Sequence, residues 1–435
     1  MRDERGPHAA LQRAGRTGGA GVDAPGTLVV ADDLTGAADA GMPFAARGLR
    51  TVVALGTVPP GAAVTVVDTD SRHADPATAA ARVAGALRGR RPGAAVLKKV
   101  DSTLRGNLAA EIGALAGAVA GPVVFAPAFP ATRRTVRDGV PYLDGLPLNE
   151  TSAWAAEARP APARVADALA PLPTAVIGLA DVRGGHDGLR GLLARAGEQG
   201  RIAVCDAVTD DDLHAIVRAG AGLGAAWAGS AGLASALAAA QAPPAAIPAA
   251  RPDVPGRAVA VIGSAGTVAR AQARRLAEEF GRSMFIDVPD LLDAGPAGLA
   301  RLAAAVPDGD VVIAPRPDGP PDPAVSRRLT EALAVVSAPA AAEAGLLVLT
   351  GGETARAVLT RCGLSALTLL AEVATGTVLS RAAVSPGAAA PETPGADAAP
   401  RSPYVITKAG GFGGPETLVH AVAAARALPA GRNPQ

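Results

Sequence analysis

The sequence predicts an α/β fold of two domains, each a mostly parallel sheet flanked by helices, with the candidate active site in the crevice between them. Three observations carry this expectation. Short apolar runs alternate with amphipathic stretches along most of the chain, as parallel strands covered on both faces require. A Pro/Ala-rich stretch at 240–257 interrupts the alternation. The loops that follow the apolar runs are acidic before this stretch and glycine-rich after it.

In chain order, residues 1–25 are rich in Gly, Arg and Ala and have no apolar centre. They read as a disordered tail rather than a secretory signal. The first domain, 26–240, has strands expected at 27–33, 51–55, 64–68, 94–100 and 123–129, then near 174–179 and 202–206. Helices fit 36–47, 76–88 and 103–118; in the last, Leu104, Leu108, Ile112 and Leu115 recur at helical spacing. Residues 241–257 read as a linker stiffened by proline. The second domain, 258–430, has strands expected at 258–266, 284–288, 310–315, 345–354 and 403–414. Within it, 384–402 are rich in Pro, Ala and Gly and read as a disordered insertion.

Composition narrows the function classes. A net charge of +1, with 19% charged residues, gives no field to attract nucleic acid or an anionic membrane. Aromatics at 2% leave too few rings for a base-stacking surface. Two cysteines and five histidines, all scattered, fit neither a disulfide framework nor a zinc site. No apolar run reaches the roughly 20 residues that span a bilayer. A cytoplasmic enzyme of small molecules is the expectation.

Three expected strands end in aspartates followed by Ser or Thr. They are VVADDLTGA with Asp32 and Asp33, VVDTDSR with Asp68, Asp70, Ser71 and Arg72, and KKVDSTLRG with Asp101, Ser102 and Arg105. Ligands of open α/β sheets bind outside the carboxyl ends of the strands, so three such ends would line one crevice. Any one of them alone would serve equally well as a helix cap. With Asp101 or Ser102 as N-cap, Arg105 falls in a first helical turn, where a cation opposes the macrodipole by roughly 0.3–1 kcal/mol. An acid-group ligand held with Lys99 and Arg72 would offset that; an Arg–Asp pair is the competing explanation.

The chain has 38 Arg but only three Lys: Lys98, Lys99 and Lys408. All three stand in ligand-like loops, where an ammonium suits a single phosphate or carboxylate oxygen. Alternation along a strand sends Lys98 and Lys99 to opposite faces. In the second half, VIGSAG, VLTGGET and KAGGFGG each follow an apolar run. None is a Walker A sequence. Together they point to a nucleotide phosphate site built from backbone N–H groups.

With VVADDLTGAADAG, VVDTDSRH, KKVDSTLRGN, FAPAFPATRRT, GSAGLASAL, LTGGETARAVL, EVATG and ITKAGGFGGPETL in order from about 27 to 420, the chain resembles the four-carbon acid sugar kinases. The resemblance implies ATP-dependent phosphorylation of a terminal hydroxyl of threonate, erythronate or 3-oxo-tetronate, with Mg²⁺ bridging the phosphates. It implies an N-terminal substrate domain and a C-terminal nucleotide domain. Carried over, Asp33 and Asp101 are the candidate catalytic pair. Asp32, Asp70, Ser71, Arg72, Lys99, Ser102 and Arg105 match the substrate side. Ser264, Gly351, Gly352, Glu353, Thr354, Lys408, Gly410 and Gly411 match the ATP side. Metal ligands stay unassigned. The implied partners are the sugar acid and ATP, without nucleic acid or membrane; a homo-oligomer is left open. The chain departs from the family at Arg133-Arg134, where Gly-Arg is usual, at Ala269, and in the insertion. Two other classes compete. VVDTDSR loosely matches the DxDx[TV] loop of Mg²⁺-dependent aspartyl-phosphate phosphatases, which leaves the glycine loops unexplained. A non-catalytic sugar-acid-binding protein is the other.

Overall fold

The computed structural model describes residues 26–55, 61–155, 157, 159–243, 254–264, 266–316, 323–384, 402–411 and 413–427. The expected tail, most of the linker (244–253) and nearly all of the insertion (385–401) lie outside the described residues.

The first half contributes β1 (Thr27–Ala31), β2 (Thr51–Ala54), β3 (Val64–Asp68), β4 (Ala95–Lys99), β5 (Val123–Ala126), β6 (Arg134–Arg137), β7 (Val140–Leu143), β8 (Leu146–Pro147), β9 (Thr174–Ile177), β10 (Ile202–Cys205) and β11 (Ala226–Gly229). The second half contributes β12 (Ala258–Ile262), β13 (Ser283–Asp287), β14 (Val311–Arg316), β15 (Leu346–Thr350), β16 (Leu364–Ala374), β17 (Thr377–Val384) and β18 (Tyr404–Lys408). The strands expected from the sequence are present, most of them ending where the acidic or glycine-rich loop begins. β1 is buried along its whole length, which is why it reads as an unbroken apolar run.

Fifteen of these strands form one sheet, ordered β13-β14-β12-β15-β18-β17-β16-β2-β3-β1-β4-β11-β5-β10-β9, and β6 to β8 form a separate antiparallel sheet. Each half is parallel except for the β16–β17 hairpin. That hairpin joins the halves. β17 pairs antiparallel with β18, and β16 pairs antiparallel with β2 through Ala366–Ala54, Leu367–Val53 and Thr368–Val52. The two expected sheets are therefore continuous. One hydrophobic core runs through both, from Val29, Phe44 and Phe125 to Leu347, Val358 and Leu367.

Three antiparallel steps reverse the strand direction between the halves. Six strand-to-strand steps separate β15 from β1. At a twist of about 20–25° per step, the carboxyl ends of the two halves swing back toward each other.

One helix begins later than expected. The stretch read as 103–118 is helical only over Leu108–Ala118, with Asn107 as N-cap. Leu104 (φ 63°) and Gly106 (φ 96°) are left-handed and hold 103–107 as a loop. The Trp154 indole N–H donates to the Thr103 carbonyl at 2.7 Å and anchors it. Arg105 thus lies outside the helix, and the macrodipole argument for an anionic ligand does not hold there. The competing explanation does: Arg105 grips Asp101 through Nε (2.9 Å) and Nη2 (3.0 Å).

Candidate functional site

On the first wall of the crevice, Asp33 caps the helix Leu34–Ala45, its Oδ1 accepting from the Gly36 amide at 2.7 Å. Arg72 lies across the acidic pair. Its Nε and Nη2 donate to the two Asp32 oxygens at 2.7 and 3.0 Å, and its Nη1 donates to Asp33 Oδ2 at 2.5 Å. Burial alone would raise the Asp32 carboxyl, but the Arg72 guanidinium, with Lys98 and Lys99, holds it below the usual range. Burial likewise works against an ionised Asp101, yet the hydrogen bonds and charge of Arg105, with Arg72 and Thr103, drive it far down. Asp101 is accordingly a fixed charge and a poor proton acceptor. Ser102 Oγ accepts from Arg134 Nη1 at 2.7 Å.

The two adjacent lysines diverge as strand alternation requires. Lys98 is fully buried, with Nζ 3.0 Å from Glu111 Oε2. Glu111 in turn accepts from the Ser71 hydroxyl, which meets Thr69 Oγ1 at 2.8 Å. Asn107 Nδ2 donates to the carbonyls of Ser71 (3.0 Å) and Ala74 (2.8 Å). Ser71 therefore braces the loop from beneath, its buried hydroxyl engaged by Glu111 and Thr69. Lys99, 5% exposed, turns the other way, and its ammonium makes no hydrogen bond or ion pair among the described residues. Its Nζ is 3.3 Å from where a Gly36 Cβ would stand. It also works against the effect of burial, which raises the Asp39 carboxyl. A buried ammonium without a partner is costly, and an anionic ligand would relieve it.

The second wall is made of glycine loops in mutual contact. A Cβ at Gly410 would collide with Ser264 Oγ, and one at Gly351 (φ 86°) would lie 3.9 Å from Ser264 Cβ. Thr354 is buried beside this cluster, while Gly411 at the loop tip is exposed. Lys408 ends β18 fully buried, its Nζ directed to the carbonyls of Ala409 and, at 3.4 Å, Gly410. Burial pushes its ammonium down to about 8.

The walls meet at Gly352, the first residue of the helix Gly352–Arg361. A Cβ there would lie 3.3 Å from Asp33 Oδ2. One turn on, Arg356 crosses the seam. Its Nη1 donates to Asp68 Oδ2 at 2.5 Å, and its Nε stands 3.7 Å from Asp70 Oδ2. Glu353 is 3.8 Å from His73 Nε2. Asp70 is half exposed. Asp68, the first aspartate of the phosphatase-like DxDx loop, has no exposed side chain and is held by Arg356, so it is not presented as a nucleophile.

Burial raises the Asp68 carboxyl to about 6 despite Arg356. A folded value above the ordinary 3.8 contributes stability that is full below about pH 4 and lost as pH rises through 6. The melting temperature of the wild type minus that of Asp68→Asn is therefore expected to fall between pH 4 and 6.5. A flat difference would contradict this.

Arg356, Arg134 and Glu111 escaped the sequence reading. Arg356 stands 288 residues from its partner. Glu111 left a signal, being an acid on the apolar stripe of Leu108, Ile112 and Leu115.

An acidic wall faces glycine turns and a buried lysine across a twisted sheet, an arrangement of the kind that phosphotransferases of small molecules require. Family models match accordingly: a sugar-binding N-terminal domain over 27–237 and a nucleotide-binding C-terminal domain over 259–418. D-threonate kinase of Cupriavidus necator is 39% identical over 414 residues, covering 91% of this chain and 96% of that protein. A 3-oxo-tetronate kinase of Methylobacterium radiotolerans is 31% identical over 396 residues, covering 82% and 92%. The solved Haemophilus influenzae protein HI1011 shares the fold at a TM-score of 0.67 and 22% identity, covering 91% of this chain and 99% of that one. The chain belongs to the four-carbon acid sugar kinase family. Among the described residues, no helix is long and apolar enough to cross a membrane.

Proposed function

We propose that the chain is an ATP-dependent kinase of a four-carbon sugar acid, with D-threonate its preferred substrate. It transfers the terminal phosphoryl group of ATP to a hydroxyl of the acid. The approach of Gly352 to within 3.3 Å (ideal Cβ) of Asp33 carries this reading. It sets the amino end of a nucleotide-side helix, where phosphate binds, against the carboxylate of a substrate-side helix. We assign residues 26–240 to the substrate side, 241–257 to the linker and 258–430 to the nucleotide side. The reaction is assigned to the cytoplasm, where ATP is supplied.

In this proposal Asp33 takes the proton of the attacking hydroxyl. Arg72 fixes Asp33 in place. Because Nε, Nη1 and Nη2 of Arg72 are all engaged by Asp32 and Asp33, the acid's carboxylate goes instead to Lys99, Arg134 and the Nη1 of Arg105, whose Nε and Nη2 are the atoms bonded to Asp101. Asp101 and Ser102 orient those two arginines. Asp70 lines the rim. The backbone N–H groups of Gly351, Gly352, Gly410 and Gly411, with Ser264, Thr354 and Lys408, hold the phosphates. The described residues contain no group of three or more His, Cys, Asp or Glu that would cage a metal. Mg²⁺ needs no such cage, since it keeps most of its waters and is held by phosphates and one or two carboxylates. Glu353, in the first turn of the nucleotide-side helix, would be its protein ligand. When bound, Mg²⁺ supplies neutralisation of the developing phosphate charge.

Two experiments test the proposal. ADP release is followed with D-threonate, D-erythronate and 3-oxo-tetronate. The highest kcat/KM is expected for D-threonate, and no sugar-acid-dependent ADP with any of the three would overturn the reading. Next, kcat/KM for ATP should fall as pH rises through about 8, because Lys408 loses its charge there in the free enzyme. Lys408→Met should abolish that break; a break that persists would assign it to another group.

A further inference from the structure

Among the described residues, five other than glycine have a positive φ: Asp70, Leu104, Arg133, Asp138 and Asp144. Leu104 is the only one of them with an aliphatic side chain. A short polar side chain can offset this conformation with local hydrogen bonds; leucine cannot, so its surroundings must impose it. Three groups do so. The Leu104 side chain is locked in the core, 1% exposed. Asp101 Oδ2 accepts from the amides on either side, those of Thr103 (3.2 Å) and Arg105 (3.3 Å). The third is the buried Trp154 indole, which holds the Thr103 carbonyl. That carbonyl belongs to the peptide unit entering Leu104, so fixing it fixes the sign of φ at Leu104.

Trp154 reaches the loop from outside the main sheet. It ends a short helical turn, Ser152–Trp154, that follows the small sheet of β6 to β8. Thr151 secures this turn: its hydroxyl donates to the Leu148 carbonyl at 2.8 Å and accepts from the Ala153 amide at 3.3 Å. The same unit begins with Arg134 in β6, which donates to Ser102. It thus grips Ser102 and Thr103, the two residues before Leu104, and Arg105 comes next.

We infer that Trp154 is a positioning residue for the sugar acid. By holding the Thr103 carbonyl it keeps Leu104 left-handed, and so keeps Arg105 folded onto Asp101 with Nη1 left for the acid's carboxylate. This rests on the kinase reading above. Without the indole bond the loop relaxes toward ordinary backbone, and the turn that sends Arg105 back to Asp101 opens.

Trp154→Phe keeps an aromatic ring and removes the donor. KM for D-threonate is expected to rise about tenfold, the scale of a buried carbonyl left without its hydrogen bond, with kcat and KM for ATP within about twofold of wild type. A merely structural role would lower the melting temperature and leave KM for the acid alone. An unchanged KM for D-threonate, or equal rises for both substrates, in a folded Trp154→Phe protein would overturn the inference. If the variant does not fold, wild type labelled with fluorotryptophan decides. The chain has two tryptophans, and the other, Trp227, lies in β11 with its ring against Gly220. One fluorine resonance should shift with D-threonate and neither with ADP; two resonances unmoved by D-threonate would overturn the inference. Failure of the kinase reading is distinguishable: wild type would then release no ADP with any of the three acids, whatever Trp154 does.

Discussion

Asp33→Asn is expected to lower kcat by about 10²–10⁴-fold, the usual contribution of a positioned general base. Asn is as good an N-cap as Asp, so the helix Leu34–Ala45 should persist and the melting temperature should change little. Arg72 keeps both of its bonds to Asp32. The loss should therefore sit in kcat, with KM for ATP nearly unchanged. Asp101→Asn gives the contrast. Although burial works against the charge, the hydrogen bonds and charge of Arg105 hold the Asp101 carboxyl far below the usual range and make it a weak base. Its replacement should weaken stability and sugar-acid binding more than turnover. Steady-state kinetics on both variants checks this. A silent Asp33→Asn beside an inactive Asp101→Asn would exchange the two roles.

The second large effect is thermodynamic. Glu111→Gln removes the partner of the fully buried Lys98 ammonium. Breaking one side of a buried ion pair costs about 3–5 kcal/mol, because the remaining charge has no water to return to. The Ser71 hydroxyl also loses a charged acceptor, loosening the loop that carries Arg72. Urea denaturation should show the loss. The double variant Lys98→Met with Glu111→Leu should recover most of it, since apolar replacement of both partners is often neutral. A Glu111→Gln protein within about 1 kcal/mol of wild type would show that the pair is not doing this.

Much of the sheet was legible because its strands are buried on both faces and so read as unbroken apolar runs, as in TLVVA and LLVLT. The hairpin β16–β17 was not. Its Ala- and Leu-rich sequence suits a helix as well as a strand, and only pairing with β2 and β18 decides. The start of the helix at Leu108 was hidden for a different reason: a left-handed leucine at 104 leaves no mark in composition. In the candidate site, Asp33, Lys99 and the glycine turns stand out in the sequence because each is a chemical anomaly beside an apolar run. Ser71 followed the same pattern, but its fate depends on Glu111, a residue 40 positions away. Arg356 could not be found at all from local pattern, since its role exists only once the nucleotide-side helix lies over the acidic loop.

The proposal puts phosphoryl transfer at that seam, and Gly352→Val probes it directly. The new side chain would start 3.3 Å from Asp33 Oδ2 and 3.4 Å from its Cβ, against the carboxylate that the proposal makes the base. The measurement is kcat for D-threonate-dependent ADP release, alongside calorimetric binding of each ligand alone. The account predicts a fall in kcat of about 10²-fold, the scale of a 1 Å misplacement, with both ligands still bound. Wild-type kcat in a folded Gly352→Val protein would contradict it.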